Sequence, residues 1–178
     1  MAQTSILLAG FGGQGILFAG KVLAYCGQVD GRELSWLPSY GPEMRGGTAN
    51  CGVCLSDEPV ASPLVLNPDI LVVMNTPSYE KFIGSVVPGG VAFVDSSMVD
   101  KTVKQRSDIQ EYDIPATRLA RDEGLDGLAN IIILGMLFAK CPIASPETVR
   151  KALEKCVPAG KQHLLEANLK AIALGGSH

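Results

Sequence analysis

Apolar residues along this chain gather in short runs separated by helix-patterned stretches, and that spacing predicts alternating strands and helices. Ser5 to Ala9 forms the first strand, followed by a glycine turn, Gly10 to Gly15, and a helix from Ile16 to Cys26. A second strand over Glu33 to Leu37 ends at Pro38. Over Thr48 to Ser56, Ala49, Cys51, Val53 and Leu55 alternate with Asn50, Gly52, Cys54 and Ser56, which is the period of two of a strand. Ile70 to Met74 and Val91 to Val94 are unbroken apolar runs, as expected of strands covered on both faces, with a helix over Tyr79 to Val87 between them. A short strand over Tyr112 to Ile114 is the one element expected between Lys101 and Pro115.

The last third of the chain reads as helices. Leu128 to Ala139 carries Asn130 as its only polar side chain, and its 12 residues fall short of the ~20 that span a bilayer, so it is expected to be buried in protein. Ser145-Pro146-Glu147 is a helix start, because a serine oxygen accepts from free N–H groups and proline at the first position loses no needed donor. The helix then places Val149, Leu153 and Cys156 on one side and pairs Glu147 with Lys151 on the other. A final helix over Lys161 to Leu174 has a Leu165, Leu169, Ile172 stripe. The first helix differs, since Ile16, Leu17, Phe18, Ala19, Val22, Leu23 and Tyr25 leave only Lys21 as an interruption. Such a helix must be covered on more than one side, either by this chain's own sheet and helices or in part by a partner subunit.

Strands alternating with helices predict an α/β fold: one Rossmann-like domain over residues 1–178, with a mainly parallel sheet and helices on both faces. A length of 178 residues with 47% hydrophobic content suits one core and is short for two. Fifteen Lys and Arg against 18 Asp and Glu, with no basic stretch interleaved with aromatics, exclude nucleic acid as an expected partner. No membrane span is expected. Met1-Ala2-Gln3-Thr4 lacks the positive region of a secretory leader, and five cysteines are an odd number, so reduced thiols and a cytoplasmic location are expected.

Gly10-Phe11-Gly12-Gly13-Gln14-Gly15 fits G-x-G-x-x-G between a predicted strand and a predicted helix. Free N–H groups at the helix start favour an anion there. The dinucleotide fingerprint also requires an acidic residue at the end of the second strand. That end reads Trp36-Leu37-Pro38-Ser39, and Asp30 and Glu33 precede or begin the strand, so the ribose contact is missing. Three readings stay open for the turn: a bound dinucleotide, a bound anion, and close packing or subunit docking.

Ser39-Tyr40-Gly41-Pro42-Glu43-Met44-Arg45-Gly46-Gly47 follows the second strand at the sheet edge where open α/β sheets carry binding loops. It combines glycines with an aromatic, a carboxylate and a guanidinium, which points to an ordered loop that meets a ligand or a partner. A rigid turn with an internal Glu43–Arg45 pair is the plainer reading.

The phrase at 10–15 with Ala19-Gly20 beyond it, the phrase at 39–47, and Thr48-Ala49-Asn50-Cys51 after it closely resemble the gamma subunit of the 2-oxoacid:ferredoxin oxidoreductases, which act on pyruvate, ketoisovalerate or 2-oxoglutarate. The Asn75 region, the Val94-Asp95 strand end and the Asn130 helix also suit that family. The resemblance implies a heteromeric complex, usually of anaerobic metabolism, that decarboxylates a 2-oxoacid on thiamine diphosphate with magnesium. Its electrons pass through iron–sulfur clusters to ferredoxin, and its acyl group goes to coenzyme A. It implies alpha, beta and ferredoxin-like subunits as partners, no cofactor held by this chain alone, and no catalytic residue on it. Binding or interface loops would then be the glycine turn (Gly10, Gly12, Gly13, Gln14, Gly15), the loop (Ser39, Tyr40, Gly41, Pro42, Glu43, Arg45, Gly46, Gly47) and Asn130. A free-standing dinucleotide-binding protein is the alternative.

Among rival sites, Cys51-Gly-Val-Cys54 on a strand would point its thiols to opposite faces, where one ion cannot bind both. Cys26, Cys141 and Cys156 are scattered, no four cysteines are spaced as cluster ligands, and no carboxylate–amide motif for a diphosphate-bound magnesium occurs. His163 and His178 are expected on exposed helix, and Asp122, Glu123 and Asp126 with Arg118 and Arg121 resemble a solvated helix end.

Overall fold

The computed structural model describes residues 3–39, 48–101 and 105–178. Six strands form one sheet: β1 (Thr4–Phe11), β2 (Glu33–Ser39), β3 (Thr48–Ser56), β4 (Ile70–Val73), β5 (Val91–Asp95) and β6 (Gln110–Ile114). Their order is β2-β3-β1-β4-β5-β6. β1, β4, β5 and β6 are parallel neighbours, and β3 runs antiparallel to both β1 and β2. Five strands therefore point one way and end at one edge, with only β3 reversed.

Helices α1 (Ile16–Val29), α2 (Thr76–Phe82), α3 (Ala116–Asp122), α4 (Ala129–Lys140), α5 (Pro146–Cys156) and α6 (Gln162–Gly176) cover the sheet unequally. On one face Ile6, Leu8, Val53, Leu55, Val72 and Phe93 pack with α1 and α3 through α6. The opposite face, Leu7, Ala9, Leu71, Val73, Ala92 and Val94, meets Tyr79 of α2, Ile83 of the 3₁₀ turn that follows it, Val86 and Val99. The alternation of sheet residues between the two cores is the pleat itself. None of the described helices is long and apolar enough to cross a membrane.

The chain itself covers much of α1, with β1, β2 and β3 on one side of it and α5 and α4 on others, and leaves Leu17, Phe18 and Tyr25 partly buried. Predicted elements are found with shifted ends. β2 runs two residues further, through Pro38 to Ser39, and the missing N–H of Pro38 is tolerated because β2 is an edge strand. α2 begins at Thr76 instead of Tyr79, because the Asn75 side chain accepts from Ser78 N–H at 2.8 Å and caps the helix three residues earlier. α3 is the helix whose solvated end is expected at Asp122 and Glu123, and it starts at Ala116. The Ser145 cap on Thr148 N–H (3.1 Å) and the Glu147–Lys151 pair (2.7 Å) are present as read.

α4 and α6 cross with almost no side chain between them. A Cβ added to Gly135 would enter the carbonyl of Ile172, and one added to Gly175 would enter that of Ile132. Backbone cannot move aside as a side-chain tip can, so Gly175→Ala should destabilise the fold by roughly 1–3 kcal/mol. Gly84→Ala, where an added Cβ meets nothing within 4 Å, should stay within about 0.5 kcal/mol of wild type. Urea unfolding of both variants measures the difference.

Candidate functional site

β1 ends where the sheet divides its connections. Its helix α1 packs on one face, while α2, which follows the adjacent strand β4, packs on the other. Crevices at the carboxyl ends of such diverging strands are where open α/β sheets bind ligands. Here the crevice holds about 290 Å³ and is lined by Gly13, Gln14, Met74, Thr117, Arg121 and Asp126 among others.

The glycine turn forms one wall, and two carboxamides bind it from within the chain. The Gln14 carboxamide oxygen accepts from Phe11 N–H at 2.6 Å, and its nitrogen donates to the carbonyl of Met74 at 2.8 Å. That side chain folds over Gly10, where a Cβ would come within 2.6 Å of its oxygen. Gly15 caps α1 in the left-handed region, φ 73°, and no side chain caps the helix. The Asn130 amide donates to the Gly15 carbonyl at 2.9 Å, and a Cβ on Gly15 would strike that amide. So the first and last glycines of the motif make room for two carboxamides, and Gly13, at φ 93°, supplies the backbone reversal. Gly12 and Gly13 are exposed. Asn130 Oδ1 and Asn75 Nδ2 are buried without a hydrogen-bond partner, a cost of about 1–3 kcal/mol each if nothing else meets them.

The opposite wall hangs on Asp95, a fully buried carboxylate at the end of β5. One oxygen accepts from Ser97 N–H (3.1 Å) and Oγ (2.6 Å), the other from Thr117 N–H (3.1 Å) and Oγ1 (2.5 Å). Ser97 Oγ also accepts from Arg118 N–H at 3.2 Å. Asp95 and Ser97 thus do for α3 what a local cap does for other helices, and they place Thr117 and Arg121 on the crevice. Sequence reading noted the Val94-Asp95 strand end but not this role, since Asp95 and Thr117 are 22 residues apart.

Of the residues singled out by sequence, Gly10, Gly12, Gly13, Gln14 and Gly15 lie at the β1 end, and Asn130 joins them there. Ser39 ends β2 two strands away, in register with Asn50, which itself pairs with Ala9. Thr48, which opens β3, pairs with Phe11. Ser39 and Thr48 therefore share a sheet edge with the glycine turn. Tyr40, Gly41, Pro42, Glu43, Arg45, Gly46 and Gly47 lie outside the described residues.

The thiols do not fit an iron–sulfur cluster. Cys51 packs in the α1-side core, while Cys54 Sγ contacts the carbonyl of Ser62 at 3.9 Å, and among the described residues no three His, Cys, Asp or Glu gather as metal ligands. Burial raises Cys26 from 9.0 to about 12, with Asp30 and Cys156 adding to it. Cys51 rises to about 11 through burial, partly offset by the hydrogen bond from Trp36. His163 is exposed on α6. The polar side chains that meet at the crevice are the Gln14 amide, the Thr117 hydroxyl, the Arg121 guanidinium and the Asp126 carboxylate, beside Met74 and Met98, a set that suits recognition.

Comparison with known proteins settles the ancestry. The profile described as pyruvate ferredoxin/flavodoxin oxidoreductase matches residues 5–177. The chain belongs to this family. The 2-oxoglutarate synthase subunit KorC of Methanocaldococcus jannaschii is 41% identical over 97% of this chain and 92% of its own. The ketoisovalerate oxidoreductase subunit VorA of Methanothermobacter marburgensis is 37% identical over 97% of this chain, which spans only 36% of that protein. The crystal structure of a keto/oxoacid ferredoxin oxidoreductase gamma subunit from Geobacter sulfurreducens superposes with a TM-score of 0.86 at 31% identity, covering 99% of this chain and 96% of that one. Family membership and the mixed six-stranded fold thus agree with the resemblance carried by the two glycine phrases.

Two outcomes are expected. Replacing Asp95 by Ala strands four donors and should cost roughly 3 kcal/mol by chemical denaturation. The raised thiols bind protons in the folded chain that the unfolded chain releases above pH 9.0. Their contribution is complete below that pH and is lost as pH rises through the 9 to 12 range. The urea midpoint should fall from about pH 8 to about pH 10, and less steeply in Cys26→Ser; an identical slope in that variant would contradict the assignment.

Proposed function

We propose that this chain is the gamma-type subunit of a cytoplasmic 2-oxoacid:ferredoxin oxidoreductase. The complex would convert a 2-oxoacid and coenzyme A to acyl-CoA and carbon dioxide and pass the electron pair to ferredoxin. The observation that carries this reading is the 41% identity to a 2-oxoglutarate synthase subunit over nearly the whole of both chains. Relatives are named for ketoisovalerate, 2-oxoglutarate and pyruvate, so the class of substrate is a 2-oxoacid, selected by residues on the other subunits.

In this reading thiamine diphosphate with magnesium, the clusters and coenzyme A belong to the assembled complex, and this chain contributes shape. Alpha, beta and ferredoxin-like subunits are the expected partners. The glycine turn and the 39–47 loop leave one sheet edge together, since Ser39 and Thr48 align with the end of β1. Their role is to pack toward the catalytic subunits and help close the site, with the Arg45 guanidinium available to an anionic group there.

Two measurements test it. Tagged chain recovered from its host should carry thiamine-binding and iron–sulfur subunits, identified by mass spectrometry, and the eluate should reduce a low-potential dye only with a 2-oxoacid and coenzyme A. Elution alone, without activity, counts against the proposal. In the intact complex Arg45→Ala should lower turnover about tenfold, the loss of roughly 1.4 kcal/mol, while the chain's melting temperature is unchanged; wild-type turnover would remove Arg45 from the site.

A further inference from the structure

Six large apolar side chains are exposed among the described residues, and four of them, Trp36, Leu37, Leu64 and Leu66, belong to β2 and the 57–69 segment. Leu64 and Leu66 are the most open, at 62% and 73% exposure. Together with Leu37, Pro38 and Phe82 they line a groove of about 470 Å³ on the α2 side of the sheet. Trp36, the neighbour of Leu37 in the strand, points the other way and lines a second hollow beside Lys21 and Tyr25 of α1.

The topology explains why the apolar surface lies here. α2 and its 3₁₀ turn cover β1, β4 and β5 on this face, whereas β2 and β3 beyond them receive no helix. Gly52 of β3 lets Val65 approach the sheet, its absent Cβ lying 3.1 Å from a Val65 methyl. The segment is thereby held on the sheet with Leu64 and Leu66 turned outward. β2 is moreover an edge strand, so among the described residues its outer row of N–H and C=O groups has no partner strand. Edge strands are ordinarily blunted by charge or proline; this one carries Trp36-Leu37 at its centre, with a charge only at Glu33 and its proline, Pro38, only near its end.

We infer that the β2 edge and the Leu64–Leu66 groove seat the larger catalytic subunit of the oxidoreductase, which supplies an apolar ridge to the groove and extended backbone to the edge. This rests on the function proposed above. An occupant larger than this domain has a precedent in VorA, in which the matched region is 36% of the protein and the remaining two thirds is joined to it in one chain. A specific, stable interface takes about 800 Å² from each partner, close to a tenth of this chain's 8651 Å² surface. A second copy of this chain fits less well. Antiparallel β2–β2 pairing has a two-fold axis perpendicular to the sheet, which puts both grooves on the same face and leaves all four protruding leucines in water.

The test is the double variant Leu64→Lys, Leu66→Lys in the full chain, tagged and produced together with the other subunits, with Leu164→Lys as control because Leu164 is exposed on α6 at 38%. Both variants should keep the wild-type melting curve as isolated chains. Recovery of the thiamine-binding subunit should fall about tenfold or more in the double variant and stay within about twofold in the control. Equal recovery in all three overturns the surface and leaves the subunit reading intact. A wild-type chain that captures no thiamine-binding subunit overturns both. A wild-type homodimer that the double variant dissolves, with subunit recovery unchanged, assigns the face to a second copy and overturns the inference.

Discussion

Two carboxamides hold the centre of this structure together. Gln14 ties the end of β1 to the end of β4, and Asn130 ties the start of α1 to the start of α4, 115 residues away in sequence. Each donates to a backbone carbonyl, and each occupies space that exists because a glycine has no side chain. The bond from Asn130 joins the N-terminal half of the sheet to the helical third of the chain. The α4–α6 crossing, with Ile132 and Ile172 carbonyls against glycines, then fixes the outer helix layer to it. Gly10 and Gly15 are thus committed to contacts inside the domain, while Gly12 and Gly13 between them stay exposed.

Sequence alone disclosed most of the framework and less of the site. Thr48–Ser56 has the observed bounds of β3 because period-two alternation is a local property, but its antiparallel direction was not legible, since direction depends on pairing with β1 and β2. α2 was read three residues late although Asn75 and Pro77 carry the cap signal. α3 shows in the sequence only as a solvated helix end at Asp122 and Glu123; its start is not legible because its cap is Asp95 with Ser97, supplied from another strand end. The opposite orientation of Cys51 and Cys54 followed directly from the strand assignment. Asn130 was recognisable as a buried amide in need of a partner, yet only the fold shows that the partner is the glycine turn.

The family places this domain in two settings, as most of a separate chain in KorC and as about a third of a longer one in VorA. A unit that persists both ways needs its own complete core, and the two hydrophobic clusters on either side of the sheet provide it. It also needs features that face outward to a partner. In the reading proposed above these are the crevice at the β1 end and the apolar β2 edge, both on strands that end beside the 39–47 phrase.

The most direct test of a turn built for packing and docking is equilibrium binding of NAD, NADP and FAD to the purified, folded chain. No saturable uptake is expected, because the motif lacks a ribose-binding carboxylate at the end of β2 and the Gln14 carboxamide and the Asn130 amide nitrogen are bonded within the chain. Stoichiometric binding of any of them that is abolished by Gly13→Val would contradict it and restore the turn as a cofactor site.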